Sequence, residues 1–151
     1  MNILLIEDNP VILKLMEYTC GYEKHTFKSA MTGSEGMKYL EQNQFDLVIS
    51  DENLPEIKGH QIAKWMRQDT RYKEVPLILI SVEQNHQLFA ELSTNGSINM
   101  FIPKPFTIPQ LTSALNMVRL VQFPLKVEVE TIEIDTKDIE LVDEEDLVLE
   151  V

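Results

Sequence analysis

The sequence of 151 residues contains one cysteine and no long apolar run, and each shortage excludes a class of protein. Cys20 cannot form a disulfide within the chain, so we expect a reducing, cytoplasmic location and a role as small apolar filler at the end of the first helix. No apolar stretch approaches 18 residues and no cationic leader precedes one. We therefore expect neither a membrane span nor a signal peptide.

Basic residues are also scarce, since 13 Lys and Arg face 25 Asp and Glu and give a net charge of −12. Without a basic stripe to neutralise phosphates, the chain is a poor candidate for binding nucleic acid. The acidic excess is uneven. Residues 1–121 hold 14 acidic and 11 basic side chains, whereas residues 122–151 hold 11 and 2. We therefore divide the chain into a domain, 1–121, and an acidic C-terminal extension, 122–151.

Residues 1–121 alternate between strand-like apolar runs and helix-like periodicity five times. The predicted strands are Asn2–Ile6, His25–Ser29, Phe45–Ser50, Val75–Ser81 and Met100–Ile102. The predicted helices are a first one from Pro10, with Asn9 as its cap, up to Gly21, then Ser34–Glu41, Gly59–Gln68, Asn85–Leu92 and Ile108–Leu120. Regular strand–helix alternation is typical of an α/β protein with a doubly wound parallel sheet and helices on both faces.

Acidic residues follow two of the strongest strands. Glu7 and Asp8 follow the first strand, and Asp51 follows the third. In an open parallel sheet, ligands bind in the crevice outside the carboxyl ends of the strands. Three carboxylates in one crevice repel each other, so they indicate a bound cation, and hard oxygen ligands favour Mg²⁺.

Two further polar residues are predicted at the same edge of the sheet. Ser81 ends the fourth strand, and Lys104 follows the fifth. A carboxylate nucleophile, two metal-binding acids, a hydroxyl and an ammonium make a set suited to phosphoryl chemistry. In this interpretation Asp51 attacks phosphorus, Lys104 neutralises phosphoryl oxygens and Ser81 hydrogen-bonds the product.

The motifs LLIEDN, DLVISDENLPEIKG, PLILIS and KPF occur in the order and spacing of a known family. In them the chain resembles the receiver domain of two-component response regulators, a resemblance that covers residues 1 to about 121. It implies a flavodoxin-like (βα)5 fold with strand order 2-1-3-4-5. Each motif alone is weak, and the four together are highly specific.

The resemblance implies that Asp51 accepts a phosphoryl group from a phosphohistidine on a sensor histidine kinase or a histidine phosphotransfer protein. Glu7 and Asp8 match the acid pair that holds Mg²⁺, together with Asp51 and the backbone carbonyl of Asn53. The protein would then be a switch that acts on a downstream protein target and not an enzyme.

Three more residues match the family's switch. Ser81 matches its hydroxyl, Lys104 its lysine, and Phe101 the aromatic residue that turns inward when the hydroxyl moves toward the phosphoryl group. The resemblance also implies a cis peptide bond between Lys104 and Pro105. Val82 departs from the smaller residue usual after the hydroxyl, and we expect it to narrow access to Asp51 and slow phosphorylation by small donors.

Simpler explanations exist for each residue taken alone. Asp8 could cap a helix, Ser81 could belong to a turn, Phe101 to the core and Lys104 to the solvated surface. The three histidines lack metal-ligand spacing and receive no role. Two other functions stay open. One is a Mg²⁺-dependent phosphatase or phosphotransferase with an aspartyl nucleophile, a class that usually has a second acid where this chain has Asn53. The other is a scaffold that needs no phosphorylation.

The extension alternates apolar and acidic residues over Lys126–Ile134, with Val127, Val129, Ile132 and Ile134 as the apolar positions. Period-2 alternation favours amphipathic strands or hairpins, and a solvated acidic tail without fixed structure is the alternative. About 30 such residues are too few for an ordinary effector domain, and no basic recognition helix is present. We expect a homodimer through the surface around residues 84–120 or through the extension.

Overall fold

The computed structural model describes residues 1–82 and 86–122, which form five strands and five helices in strict alternation. The strands are β1 (Asn2–Ile6), β2 (Thr26–Ala30), β3 (Leu47–Asp51), β4 (Leu77–Ser81) and β5 (Met100–Pro103). The helices are α1 (Pro10–Tyr22), α2 (Gly33–Gln42), α3 (Gly59–Gln68), α4 (His86–Thr94) and α5 (Ile108–Gln122). Among these helices, none combines the length and apolarity needed to cross a bilayer.

The five strands form one parallel sheet in the order β2-β1-β3-β4-β5, so the predicted order is confirmed. β3 and β4 are buried along their whole length. The chain winds to one side of β1 and then to the other, and strand order reverses between β1 and β3. The carboxyl ends of these two strands therefore border the crevice where ligands bind in such sheets.

Alternate residues of the central strands pack into two separate hydrophobic cores, one on each face of the sheet. Both faces of these strands are therefore apolar, and their sequences are unbroken apolar runs. In β1, Ile3 and Leu5 pack toward α1 and α5. Leu4 and Ile6 pack on the opposite face toward α2, α3 and α4. Cys20 is buried in the core under α1, as its apolar role predicts.

The start of α1, just after Glu7 and Asp8, is set by a helix cap. Asn9 is the cap, and its side-chain oxygen accepts hydrogen bonds from the amides of Val11 and Ile12 at 2.9 and 3.3 Å. Pro10 takes the first helical position, where a missing N–H costs nothing. The predicted cap and start are confirmed.

The predicted strand boundaries are wrong by one or two residues at several places. β3 begins at Leu47 instead of Phe45, and it includes Asp51, which pairs in register with Ile80. β4 begins at Leu77, because Pro76 lacks the N–H that a ladder bond requires. Asp51 is therefore held by the sheet and not by the following loop.

β5 lies at the edge of the sheet, where its proline is tolerated. Pro103 pairs with Ser81 and cannot donate, but the next residue supplies the bond, since the Lys104 amide donates to the Ser81 carbonyl at 2.9 Å. The predicted strands of the extension fall in 123–151, outside the described residues. The domain boundary at residue 121 stays a prediction.

Candidate functional site

The strand order brings four of the predicted side chains to one point above the sheet. Glu7 and Asp8 follow β1, Asp51 ends the neighbouring β3, and Lys104 follows β5. The Lys104 ammonium nitrogen lies 2.8 Å from Glu7 Oε2 and 3.2 Å from Asp51 Oδ2. One lysine thus bridges the acid of the first strand and the acid of the third.

The three carboxylates form a compact cluster with one open side. One oxygen from each of Glu7, Asp8 and Asp51 lies within 4.8 Å of the other two. Glu7 is fully buried and Asp51 is 4% exposed, whereas Asp8 is exposed. An ion or a substrate reaches the cluster from the side of Asp8.

Burial and charge act in opposite directions on the buried members of the cluster. Burial, helped by the negative charge of Asp51, raises the pKa of Glu7 above its ordinary value, although Lys104 opposes the shift. For Lys104, burial acts to lower the pKa, but contacts with Glu7 and Asp51 outweigh it and leave the pKa raised. The lysine is therefore held in its charged form, and its one ammonium contacts two of the three carboxyl groups.

The donor set fits a small divalent cation. Three carboxylates within reach of one point supply the hard oxygen ligands that Mg²⁺ prefers, and their mutual repulsion is relieved by a cation. The Asn53 amide lies 3.3 Å from Asp51 Oδ1, so the loop after β3 stays close to the acid. The role of the Asn53 carbonyl as a ligand stays a prediction.

The remaining predicted residues lie around this cluster. Ser81 is fully buried at the end of β4, the strand next to Asp51. Phe101 is half-buried on β5 and stacks on Phe89 of α4, with ring centroids 3.9 Å apart. The peptide bond between Lys104 and Pro105 is cis. Phe101 thus contacts α4 and is not part of the acidic cluster.

Val82 follows Ser81 and lies on the Lys104 side of the cluster. Its side chain is 62% exposed. It borders a groove of about 310 Å³ together with Ile12, Lys104 and Phe106.

A contact between Glu52, inside the DLVISDENLPEIKG motif, and His60, just after it, was not predicted from the sequence. Glu52 is 3% exposed, and its carboxylate accepts the His60 amide at 2.8 Å and contacts His60 Nδ1 at 2.7 Å. The pair joins the residue after Asp51 to the first turn of α3. The sequence carried no signal for this contact, because Glu52 precedes the start of α3 by seven residues and only the intervening loop brings its carboxylate to the helix N-terminus, where negative charge is favoured.

Gly59 permits the close approach of α3 to the acceptor strand. A Cβ atom at this position would lie 2.5 Å from the carbonyl oxygen of Asp51 and 2.6 Å from Leu79 Cδ1. Its amide also donates to the Glu52 carbonyl at 3.1 Å. Only glycine leaves room for this contact.

Fold and site together define a flavodoxin-like domain: a doubly wound five-stranded parallel sheet with an acidic, lysine-bridged pocket at the point where strand order reverses. The family described as the response regulator receiver domain matches residues 3–116. The chain belongs to this family, and its predicted identity is confirmed.

Curated relatives and solved structures agree. The chain is 32% identical over 124 residues to the chemotaxis protein CheY1 of Helicobacter pylori, covering 78% of this chain and 96% of that protein. It resembles the structure of the chemotaxis response regulator CheY4 of Vibrio cholerae with a TM-score of 0.72 and 25% identity, covering 78% of this chain and 97% of that one. The receiver domain of the sensor histidine kinase PA1611 of Pseudomonas aeruginosa, solved with magnesium in its active site cleft, matches with a TM-score of 0.66, 23% identity and coverage of 78% and 93%.

Proposed function

We propose that this protein is a phosphoacceptor response regulator, switched by Mg²⁺-dependent phosphorylation of Asp51. The observation that carries the proposal is the lysine bridge, in which one ammonium contacts the acids that end two neighbouring strands. This arrangement gives Asp51 a positive neighbour on one side and leaves the side of Asp8 open.

The phosphoryl donor would be a phosphohistidine on a sensor histidine kinase or a histidine phosphotransfer protein. A carboxylate oxygen of Asp51 attacks phosphorus, the new P–O bond forms, and the P–N bond breaks with its electron pair returning to the donor imidazole. Lys104 lies 3.2 Å from Asp51, close enough to hydrogen-bond an oxygen of the transferred group.

Glu7, Asp8, Asp51 and the backbone carbonyl of Asn53 would hold the cation. Bound there, Mg²⁺ supplies positive charge to the oxygens of the phosphoryl group. The burial of Glu7 keeps its carboxylate fixed against Lys104, whereas the exposure of Asp8 leaves it free to follow the ion.

Ser81 and Phe101 would transmit the signal. Ser81 ends the strand beside Asp51, so its hydroxyl can hydrogen-bond the phosphorylated side chain. Phe101 lies on the next strand and stacks on α4. A shift of Ser81 would then alter the population of Phe101 positions and the surface around residues 84–120, which a downstream protein reads.

The protein would act in the cytoplasm as a switch and not as an enzyme, because it phosphorylates only itself. A homodimer through residues 84–120 or through the extension is one way in which the signal could be read. Neither nucleic acid nor a membrane is expected as a direct partner, given the net charge of −12.

Labelling separates this function from its alternatives. The intact protein is incubated with Mg²⁺ and acetyl phosphate, or with beryllofluoride, and modification is followed by mass and by the fluorescence of Trp65. We expect one acid-stable, hydroxylamine-sensitive phosphoryl group, lost in Asp51→Asn and strongly reduced in Asp8→Asn. Multiple turnover on a phosphorylated small molecule would favour the phosphatase. Failure to label wild-type protein would favour the scaffold.

A further inference from the structure

The outer edge of β2 is exposed and chemically two-sided. Among the described residues β2 pairs only with β1, and its first three residues are exposed. Neighbouring residues of a strand point to opposite faces, so Phe27 and Lys28 mark the two sides of this edge. An unpaired edge of this kind is a template for another strand.

The side of Phe27 is aromatic. Phe27, Tyr18 and Tyr22 are 39%, 61% and 74% exposed, and the two tyrosine rings stack with centroids 6.2 Å apart. They border a groove of about 460 Å³ along α1. Exposed aromatic side chains grouped around a strand edge mark an interaction surface.

The side of Lys28 is basic. Its ammonium lies 4.2 Å from the centre of the Tyr39 ring, and Lys38 of α2 is exposed nearby. The carboxylate of Glu35 on this side is already bound by the Tyr39 hydroxyl at 2.7 Å and the Met31 amide at 3.1 Å. Both lysines lie within electrostatic reach of Glu35, but among the described residues neither forms a direct ion pair, so acidic side chains arriving on this face would meet two ammonium groups without a bonded carboxylate.

The extension has the matching pattern. Val127, Val129 and Thr131 alternate with Glu128 and Glu130. A strand of this sequence has one β-branched face and one acidic face, and its five residues equal the length of β2. At Ile132 and Ile134 the apolar residues occupy even-numbered instead of odd-numbered positions. The pattern that matches the edge of β2 therefore ends at Thr131.

The chain leaves α5 within reach of this edge. The Gln122 side chain, at the end of α5, donates a hydrogen bond to the Asp46 carbonyl at 2.8 Å, just before β3. The Asp46 carboxylate in turn accepts a hydrogen bond from the Asn2 amide at the start of β1. The neighbouring Met1 carbonyl accepts the amide of Thr26, the first residue of β2. A strand outside β2 would thus begin three strand spacings, about 14 Å, from the foot of β3. The five steps from Gln122 to Val127 span up to about 17 Å.

Handedness selects β2 over the other edge. A parallel strand that follows a crossover is right-handed in nearly all proteins. α5 packs on the same face of the sheet as α1, and α1 joins β1 to β2 on the β2 side by such a crossover. A connection that starts from α5 on that face is therefore right-handed only if it leads toward β2. A connection to a parallel strand outside β5 would be a left-handed crossover.

We propose that residues 127–131 of the same chain pair with the free edge of β2 as a sixth, parallel strand. Val127 and Val129 lie against Phe27 and the tyrosines, and Glu128 and Glu130 face Lys28 and Lys38. The extension then covers the aromatic edge of its own domain and leaves the surface around residues 84–120 open to partners. This interaction does not depend on the phosphorylation of Asp51.

Pairs of introduced cysteines in the full chain test the pairing, because alternate residues of a strand face opposite sides of the sheet and only residues on the same side can form a disulfide. One cysteine replaces Phe27, and the second replaces Val127 or Val129, or else Glu128 or Glu130 as matched controls. We expect the better valine position to form an intramolecular disulfide about tenfold faster than the better glutamate position, because only side chains on one face approach closely. The native Cys20 does not interfere, since burial raises its pKa to about 12.

A second series places the first cysteine at Lys28, which leaves the aromatic groove intact. Here the preference should reverse, and the glutamate positions should react faster. Equal disulfide rates at the valine and glutamate positions in both series would overturn the proposal and indicate an extension without a fixed partner. Disulfide-linked dimers in place of cross-linked monomers would also overturn it and would assign the edge to a second copy.

Discussion

Gly59 controls the distance between α3 and the acceptor strand. Gly59→Ala places a methyl group 2.5 Å from the Asp51 carbonyl, so the helix or the strand end must move. We expect a loss of about 2 kcal/mol in the free energy of unfolding, measured with urea, and slower labelling of Asp51. The matched control is Gly21→Ala in α1, where the new methyl meets only Phe27 at 3.9 Å. That change should stabilise by about 0.5 kcal/mol, and equal losses at both glycines would contradict the argument.

Glu52 and His60 should behave as a coupled pair. Glu52→Gln and His60→Ala each remove part of the contact, and we expect a coupling energy of about 1 kcal/mol in a double-mutant cycle of urea unfolding. His60 is 30% exposed, which keeps the coupling modest. Because the pair holds the loop after β3, labelling of Asp51 should slow in both single variants. Additive effects on stability would show that the two side chains do not act together.

Motifs located the residues of the site but not the contacts that hold them. Asp51, Glu7, Asp8 and Lys104 each follow or end a strand, so their positions were predictable once the strands were recognised. Glu52 lies inside the DLVISDENLPEIKG motif and His60 follows it, but their pairing depends on the turn that carries the chain into α3 and so is not visible in the motif. Gly59 looked like a helix start, and only the packing of that helix on β3 explains why no side chain fits.

Among the secondary structure elements, α3 is fixed at its end by one guanidinium. Arg67 donates to the carbonyls of Gly96 and Val75 at 3.0 and 2.7 Å and to the Asn99 side chain at 3.0 Å. It thereby joins α3 to the segments that precede β4 and β5. Burial lowers the pKa of Arg67 below its ordinary value, as expected for a charge held among carbonyls.

Arg67→Lys should therefore not be a conservative change. One ammonium cannot reproduce the planar fork, and we expect a loss of about 2 kcal/mol in the free energy of unfolding by urea titration. Arg71→Lys provides the control, because Arg71 is exposed and its contacts, with the Asp69 carboxylate and the Glu41 carbonyl, lie at the surface. It should leave the unfolding midpoint unchanged. Similar shifts for the two variants would mean that the carbonyl contacts of Arg67 contribute no more to stability than the surface contacts of Arg71.

The segment after β4 should limit access by small donors. Val82 borders the groove beside Lys104, and Val82→Ala widens that approach. We expect labelling by acetyl phosphate to become about threefold faster, equivalent to about 0.7 kcal/mol in the barrier. Phosphotransfer from a protein donor, which brings its own binding surface, should change less. Unchanged acetyl phosphate rates would remove Val82 from any role in access.

Strand boundaries were less predictable than strand order. Phe45 is buried in the core but precedes β3, which begins at Leu47. Apolar character alone therefore places the start of the strand too early in the sequence. The register that places Asp51 opposite Ile80 depends on neighbouring strands and is absent from any local pattern.

For the molecule as a whole, the single thiol offers a probe of unfolding. Burial raises the pKa of Cys20 to about 12, so its thiolate fraction at pH 8 is very small. We expect it to react with a thiol reagent about a thousandfold more slowly than an exposed cysteine, and faster as urea or pH increases. A Val11→Cys variant supplies the exposed reference, since Val11 is 76% exposed. Comparable rates for the two thiols in native protein would show that the core under α1 opens readily.

The order of the sheet has a consequence for synthesis. Glu7, Asp8 and Asp51 leave the ribosome well before Lys104, which closes the pocket from beyond β5. Until β5 pairs with β4, the nascent chain carries an acidic trio without its cation and an exposed edge on β4. Because the pocket joins distant parts of the chain, competence to receive a signal arises only when translation of the domain is nearly finished.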